Sequence, residues 1–315
     1  MKKLTVTTLL LAAGWAGSAP AYAGPLKIDW VGADAKWIIH VDVEGFTGSI
    51  IGSGLLEGAD DFGIDLGDLD DLKDEIGLDP RTDLMSITAY GSKEIAEDAV
   101  VIAVTNAQVD QALAKLTTDD DIHSEVIKLE GFDVHLFTDG GERHYVHLRT
   151  ADRADRRIVV VTDQESVMAD ALRVLEGRAP SQATARMPIL ANTPKAGSIV
   201  YVAVNEIDLL PEIQPASEVL RLCERFTIDF GEADGTLNGS ANLSAGSEQK
   251  ANDIAAVVQG MLALARLLAN GDPDLGPLRV ITDALSVTSD GKRITISIQC
   301  DSQQLLIDLK ALADD

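Results

Sequence analysis

The residue types best suited to chemistry in this sequence are its histidines. His135 and His144 stand either side of the turn-forming Asp139-Gly140-Gly141-Glu142. A two-residue turn at the glycines sets His144 opposite Phe137 and diagonal to His135, so both imidazoles share one face of a hairpin, within reach of one metal ion. His147 falls on the other face with Tyr145, and spacing supplies no third ligand. A base for an exported hydrolase would come from His40, His123, His135 or His144. Yet GxSxG and HExxH are missing and neither cysteine has a local nucleophile signature, so no catalytic residue is assigned.

Carboxylates form the next candidate. The acidic run from Ala59 to Asp79 holds Asp65, Asp68, Asp70 and Asp71, oxygen donors of the kind calcium takes. The EF-hand pattern is absent, and Leu66, Leu69 and Leu72 suit a solvated segment docked on a core. Weak Ca2+ binding is the alternative to an acidic surface, and no other cofactor is expected. Gly52, Gly54 and Gly58 read GxGxxxG rather than the dinucleotide GxGxxG, so close packing of that segment is the expectation.

A third candidate is apolar. From Ile254 to Ala269 only Gln259, Gly260 and Arg266 interrupt an apolar surface, which predicts a helix buried on most sides between two parts of the fold. At 1.5 Å per residue it would run roughly 24 Å, short of a ~30 Å bilayer core. Ile254, Val258, Met261, Leu262 and Ala265 could then line a groove for an apolar small molecule.

Composition limits what such sites can serve. Lys2 and Lys3, an apolar run from Leu4 to Trp15, and Ala21-Tyr22-Ala23 read as a secretory leader over 1–23, so the expectation is an exported protein, periplasmic or extracellular. No cysteine follows the apolar run, and no transmembrane span is expected once the leader is removed. Acidic residues number 51 against 26 basic ones, for a net charge of -25, a field that repels nucleic acid and anionic membranes. Cys223 and Cys300 allow one disulfide in an oxidising compartment and no metal framework.

The elements that would position these residues come in two similar runs. Arg157 to Gly177 reads as a buried strand, an Asp163 cap and an amphipathic helix closed by glycine; Arg293 to Leu312 repeats strand, Asp301 cap and helix. Lys36–Val43 is answered by Ser198–Val204, and each run reads strand, short helix, hairpin, helix, hairpin, helix. In the second run, Arg279–Val287 is taken as a strand. The predicted fold is α+β: two tandem similar halves, 24–178 and 198–315, joined by a Pro- and Ala-rich linker, 179–197. Each half would be an antiparallel sheet with helices on one face, a variant of the ferredoxin-like split βαβ unit, the two burying their apolar sides against each other.

The functional expectation is an exported, soluble, non-enzymatic protein that binds a partner or belongs to envelope structure. The alternatives are a carrier of an apolar small molecule along helix 254–269 and an exported hydrolase.

Overall fold

The computed structural model describes residues 24–93, 97–119, 122–185, 194–195, 197–206, 223–271 and 276–313. The expected leader lies outside them, as do 186–193 and 196 of the expected linker. The protein is α+β, with helices packed on a large antiparallel sheet.

The first strands are β1 (Trp37–Asp42), β2 (Leu84–Gly91) and β3 (Val100–Asn106). Then come β4 (His123–Leu129), β5 (Phe132–Asp139), β6 (Glu142–Thr150) and β7 (Arg156–Thr162). The remainder are β8 (Ser198–Val204), β9 (Cys223–Ala233), β10 (Thr236–Ala245), β11 (Leu285–Asp290) and β12 (Arg293–Asp301). All twelve lie in one sheet, in the order β11-β12-β10-β9-β8-β1-β2-β3-β7-β6-β5-β4. The seam is β1 against β8, antiparallel from Trp37↔Val204 to Val41↔Val200. The expectation of two sheets facing each other is therefore corrected: the chain joins edge to edge, which satisfies backbone groups that two separate edges would leave open. A split βαβ unit also needs a parallel pair, whereas among the described residues every strand pairing is antiparallel.

The helices are α1 (Val43–Gly48), α2 (Ile50–Glu57), α3 (Gly67–Ile76), α4 (Pro80–Asp83) and α5 (Gln108–Thr117). They continue with α6 (Glu165–Leu175), α7 (Glu248–Gly271), α8 (Gly276–Ala284) and α9 (Ser302–Ala313). Their placement overturns the one-face expectation. Val101, Ala103 and Val159 join a core with Ala251, Ile254 and Ala255 of α7. Ile102, Ile158 and Val160, the alternate residues of the same strands, join a second core with Met168, Ala171 and Leu172 of α6 on the opposite face. The runs Val100–Val104 and Ile158–Val161 are apolar at consecutive positions, so both faces of the strands must be covered.

Local chemistry places the remaining elements. Gly77 takes φ 78° and ends α3, ahead of Pro80, which instead opens α4 at its first turn. The segment expected as a strand over Arg279–Val287 is helical to Ala284 and extended only from Leu285. In α2 the glycines are packing positions: a Cβ on Gly52 would lie 1.9 Å from the Phe46 carbonyl oxygen, and one on Gly54 would lie 2.0 Å from Leu306 Cδ2. The start of α2 is capped from far along the chain, because Glu232 accepts from the backbone N–H groups of Ile50 (2.8 Å) and Ile51 (3.1 Å).

Helix α7 is longer and less buried than its composition predicts. Its 24 residues span roughly 36 Å, and by length and composition it could cross a membrane. Ala251, Ile254 and Ala255 pack on the sheet, while Val257, Met261, Leu264, Leu267 and Leu268 are all more than half exposed. Arg266 holds the helix to α8 and the following turn by donating to the carbonyls of Thr282 (2.6 Å) and Leu285 (3.0 Å).

Two glycine substitutions separate these environments. Gly52→Ala is expected to cost about 1–3 kcal/mol through overpacking against backbone. Gly260→Ala, in the open middle of α7 where nothing lies within 4 Å, is expected to stabilise by about 0.5–1 kcal/mol. Urea denaturation of the two variants measures both signs.

Candidate functional site

An apolar cavity of about 300 Å³ lies between the sheet and two short helices. Its floor is the face of β2, β3, β6 and β7 that carries Ile87, Val101, Ala103, Val146 and Val159. Alternation along the strands selects these side chains: the residues between them point into the opposite core. Its roof comes from Leu72 and Ile76 of α3 and from Val109, Leu113 and Leu116 of α5. In both helices the spacing is three or four, one stripe facing inward. All five roof residues remain half-buried, because two ten-residue helices do not fill the width of sheet beneath them.

Polar groups gather where the cavity meets solvent. Glu75, Lys115 and Asp119 are exposed lining residues, and Asp139 and His144 are partly exposed. His144 Nδ1 bonds Asp163 Oδ1 at 2.7 Å. That hydrogen bond, aided by the nearby carboxylates of Asp163, Glu142 and Asp139, raises the His144 pKa above the usual imidazole value against the opposing effect of burial. The same contact corrects the expected Asp163 cap. α6 starts behind Gln164 with no side-chain cap, since Asp163 is turned to the histidine.

The other sequence candidates are placed as follows. His135 and His144 do share a sheet face, with His135 opposite Val146 and His144 opposite Phe137. His135 stacks on Phe137 at 6.2 Å between ring centroids, while His144 is engaged by Asp163. Asp65 Oδ1 accepts from Gly67 N, and Asp70 pairs with Arg81 at 2.6 Å, so the acidic run does not converge on a point. Among the described residues no group of three or more His, Cys, Asp or Glu side chains could hold a metal ion.

Cys223 and Cys300 are not joined. In register they oppose Ala245 and Leu237, eight residues apart along β10, which is about 26 Å at ~3.3 Å per residue. None of Ile254, Val258, Met261, Leu262 and Ala265 lines the cavity. Ile254 is core and Met261 is 65% exposed, so these five residues do not share one buried wall.

His40 is the histidine with the most committed surroundings. It is buried, its Nδ1 lies 2.9 Å from Thr88 Oγ1 and its Nε2 lies 3.0 Å from the Gly24 carbonyl oxygen. A carbonyl only accepts, so Nε2 carries the proton and Nδ1 accepts from the threonine hydroxyl. Desolvation lowers its pKa to about 4, against the backbone contacts that oppose it. Such a group is not placed to meet a substrate, and the cavity does not reach it.

The cavity itself was not legible in the sequence. The stripes Leu72/Ile76 and Val109/Leu113/Leu116 signal that two helices face a core, but no pattern states how much space they leave between them.

No family model matches the chain and no curated protein matches it. Among solved structures, crystal form III of TP0453 is similar with a TM-score of 0.47 at 12% identity, over 93% of this chain and 100% of that one. Crystal form I of the same protein gives 0.45 at 10% identity, over 93% and 98%. Likeness at this level says nothing of what the chain does.

The two imidazoles should separate on titration followed by NMR. His144 is expected to titrate above the usual value of ~6.5 and to fall back toward it in Asp163→Asn. His40 is expected to stay neutral down to about pH 4. Its contribution to stability therefore diminishes as pH falls from 6.5 toward 4, where the unfolded chain binds a proton that the folded chain does not.

Proposed function

We propose that the protein is an exported, non-enzymatic binding protein whose ligand is an apolar small molecule held between α3, α5 and the sheet. The observation that carries this reading is the cavity: about 300 Å³, lined mostly by apolar side chains of the sheet, α3 and α5, with its charged groups at the opening. That volume is at the lower end of the range for small-molecule sites, about 300–1,000 Å³. Export rests on the sequence of residues 1–23.

A second inference concerns construction. Two tandem similar halves, divided within 179–197, are supported by strand order. Read outward from the seam, one side runs β1-β2-β3-β7-β6 and the other β8-β9-β10-β12-β11, with β5 and β4 added to the first. In both, a meander of three strands is followed by helix and then a hairpin whose later strand pairs with the third strand. The cavity sits in the first half under α5. The corresponding face of the second half is covered by the longer α7, whose Ala251, Ile254 and Ala255 pack directly on the sheet.

A partner-binding reading is favoured separately by the exposed apolar face of α7. The net charge of -25 directs that face to an envelope protein over an anionic bilayer. Co-fractionation with envelope material that is lost in Leu264→Lys/Leu267→Lys supports this reading, and fractionation unchanged by the double substitution removes it.

The ligand reading has its own test. The opening presents the carboxylates of Glu75, Asp119 and Asp139 against Lys115 and an Asp163-paired His144, so alkyl amines and alcohols should bind better than a carboxylate of equal chain length. Val109→Trp, which fills the roof, is expected to weaken binding at least tenfold in fluorescent-probe displacement while leaving the fold intact. Equal binding by both proteins would end the proposal.

A further inference from the structure

One face of the β1–β2 pair carries a cluster of polar side chains that are buried. His40 is opposite Thr88 and Asp42 is opposite Ser86 in register. All four are buried, at 3%, 8%, 1% and 5% exposure respectively. Such a cluster costs stability unless its members find partners.

Three of the partners are visible. Thr88 donates to His40, His40 donates to the Gly24 carbonyl, and Asp42 Oδ1 accepts from Gly45 N at 2.9 Å as the cap of α1. The fourth is missing: Asp42 Oδ2 is buried without a hydrogen-bond partner. The charges around Asp42 do not supply one. Glu44 is of like sign, and Arg156 gives its guanidinium to Glu44 at 3.1 Å. Burial accordingly pushes the Asp42 pKa up, and the approach of the Gly24 N–H, the Gly45 N–H and Arg156 opposes that only in part.

Gly24 lies over this cluster. A Cβ at Gly24 would sit 3.2 Å from both Cβ and Oγ of Ser86, so the residue is closely seated against the strand pair. Gly24 is also the residue that follows Ala21-Tyr22-Ala23, the small-x-small sequence at the end of the leader.

We infer that the Ala23–Gly24 bond is the processing site, and that the α-ammonium freed on Gly24 is the partner of the buried Asp42 carboxylate. Hydrolysis of that bond by the peptidase of the export route takes up one water. The new carboxylate leaves with residues 1–23, and the new amine, protonated at neutral pH, stays on Gly24 over Asp42. An amide N–H there offers one donor and no net charge. An ammonium offers three donors and the positive charge that a buried carboxylate needs. Removal of the leader thereby tightens the fold as well as releasing the chain. The inference rests on export and not on the ligand reading, so the cavity tests and these can fail independently.

The first measurement is the N-terminal residue of protein purified after export, read by mass spectrometry. Gly24 is expected, and any other first residue overturns the inference. The second compares thermal unfolding of a chain that begins at Gly24 with one that begins at Ala23. The extended chain is expected to melt lower by on the order of 5 °C, and Asp42→Asn is expected to abolish the difference. Equal melting of the two chains overturns the inference, as does a difference that persists in Asp42→Asn. Should Asp42→Asn not fold, the Gly24 amine is titrated by NMR in the native chain. A pKa well above the ordinary α-amino value of ~7.7–8.0 supports the pairing, and an ordinary value overturns it.

Discussion

The structure depends on the antiparallel pairing of β1 with β8. Both strands are largely buried, and each would leave an edge open if the two runs of strands stayed apart. Pairing them removes both edges and moves the most apolar residues to the centre of the sheet, where Trp37, Ile38, Tyr201 and Ala203 are at most 1% exposed. The free edges are thereby transferred to β11 and β4. These carry polar exposed side chains, Ser286, Thr288 and Asp290 on one and His123, Glu125 and Lys128 on the other, which discourage further strand addition.

A sheet this wide needs cover on two faces, and the cover is uneven. α6 and the N-terminal segment close one face over Ile102, Ile158 and Val160. On the other, α7 lies over β10, β11 and β12, whereas β2, β3, β6 and β7 are roofed by two helices of ten residues each. Each of those helices spans roughly 15 Å. The cavity is the space that this shorter roof leaves, and its walls are apolar because the floor is the same strand face that forms core elsewhere.

Much of the element order could be read from sequence, and the misreadings have physical causes. Ile158–Val161 was legible as a strand and Glu165–Leu175 as the helix after it, because period and termination agreed. The expected single covered face gives way to two, because the unbroken apolar run Ile158–Val161 needs cover on both sides. The apolar composition of α7 predicts burial on most sides, yet a helix lying on a sheet buries only one stripe. The acidic and histidine candidates are not gathered into one cluster among the described residues, for another reason. His135 and His144 share a face, but Asp163 engages His144, and in the acidic run Arg81 pairs with Asp70. The Glu232 cap on α2 lies 182 positions from Ile50 and could not be inferred from local pattern.

On the proposed ligand reading, charge decides which occupant the apolar cavity prefers. Many basic side chains are tied into ion pairs, among them Arg81 with Asp79, Arg156 with Glu44 and Arg157 with Asp110. Pairs of this kind near the surface add little stability individually, but they cancel positive charge that could otherwise steer an anion. The net excess is acid, and the opening of the cavity carries Glu75, Asp119 and Asp139. An anionic amphiphile would have to bring its carboxylate to that opening against the field of the whole molecule, whereas an amine or hydroxyl head would meet acceptors there. Apolar area supplies the attraction in either case, so discrimination falls to the few polar groups at the mouth. Salt should therefore weaken the preference between ligands more than it weakens binding itself, since screening acts on the charges and leaves the apolar burial in place.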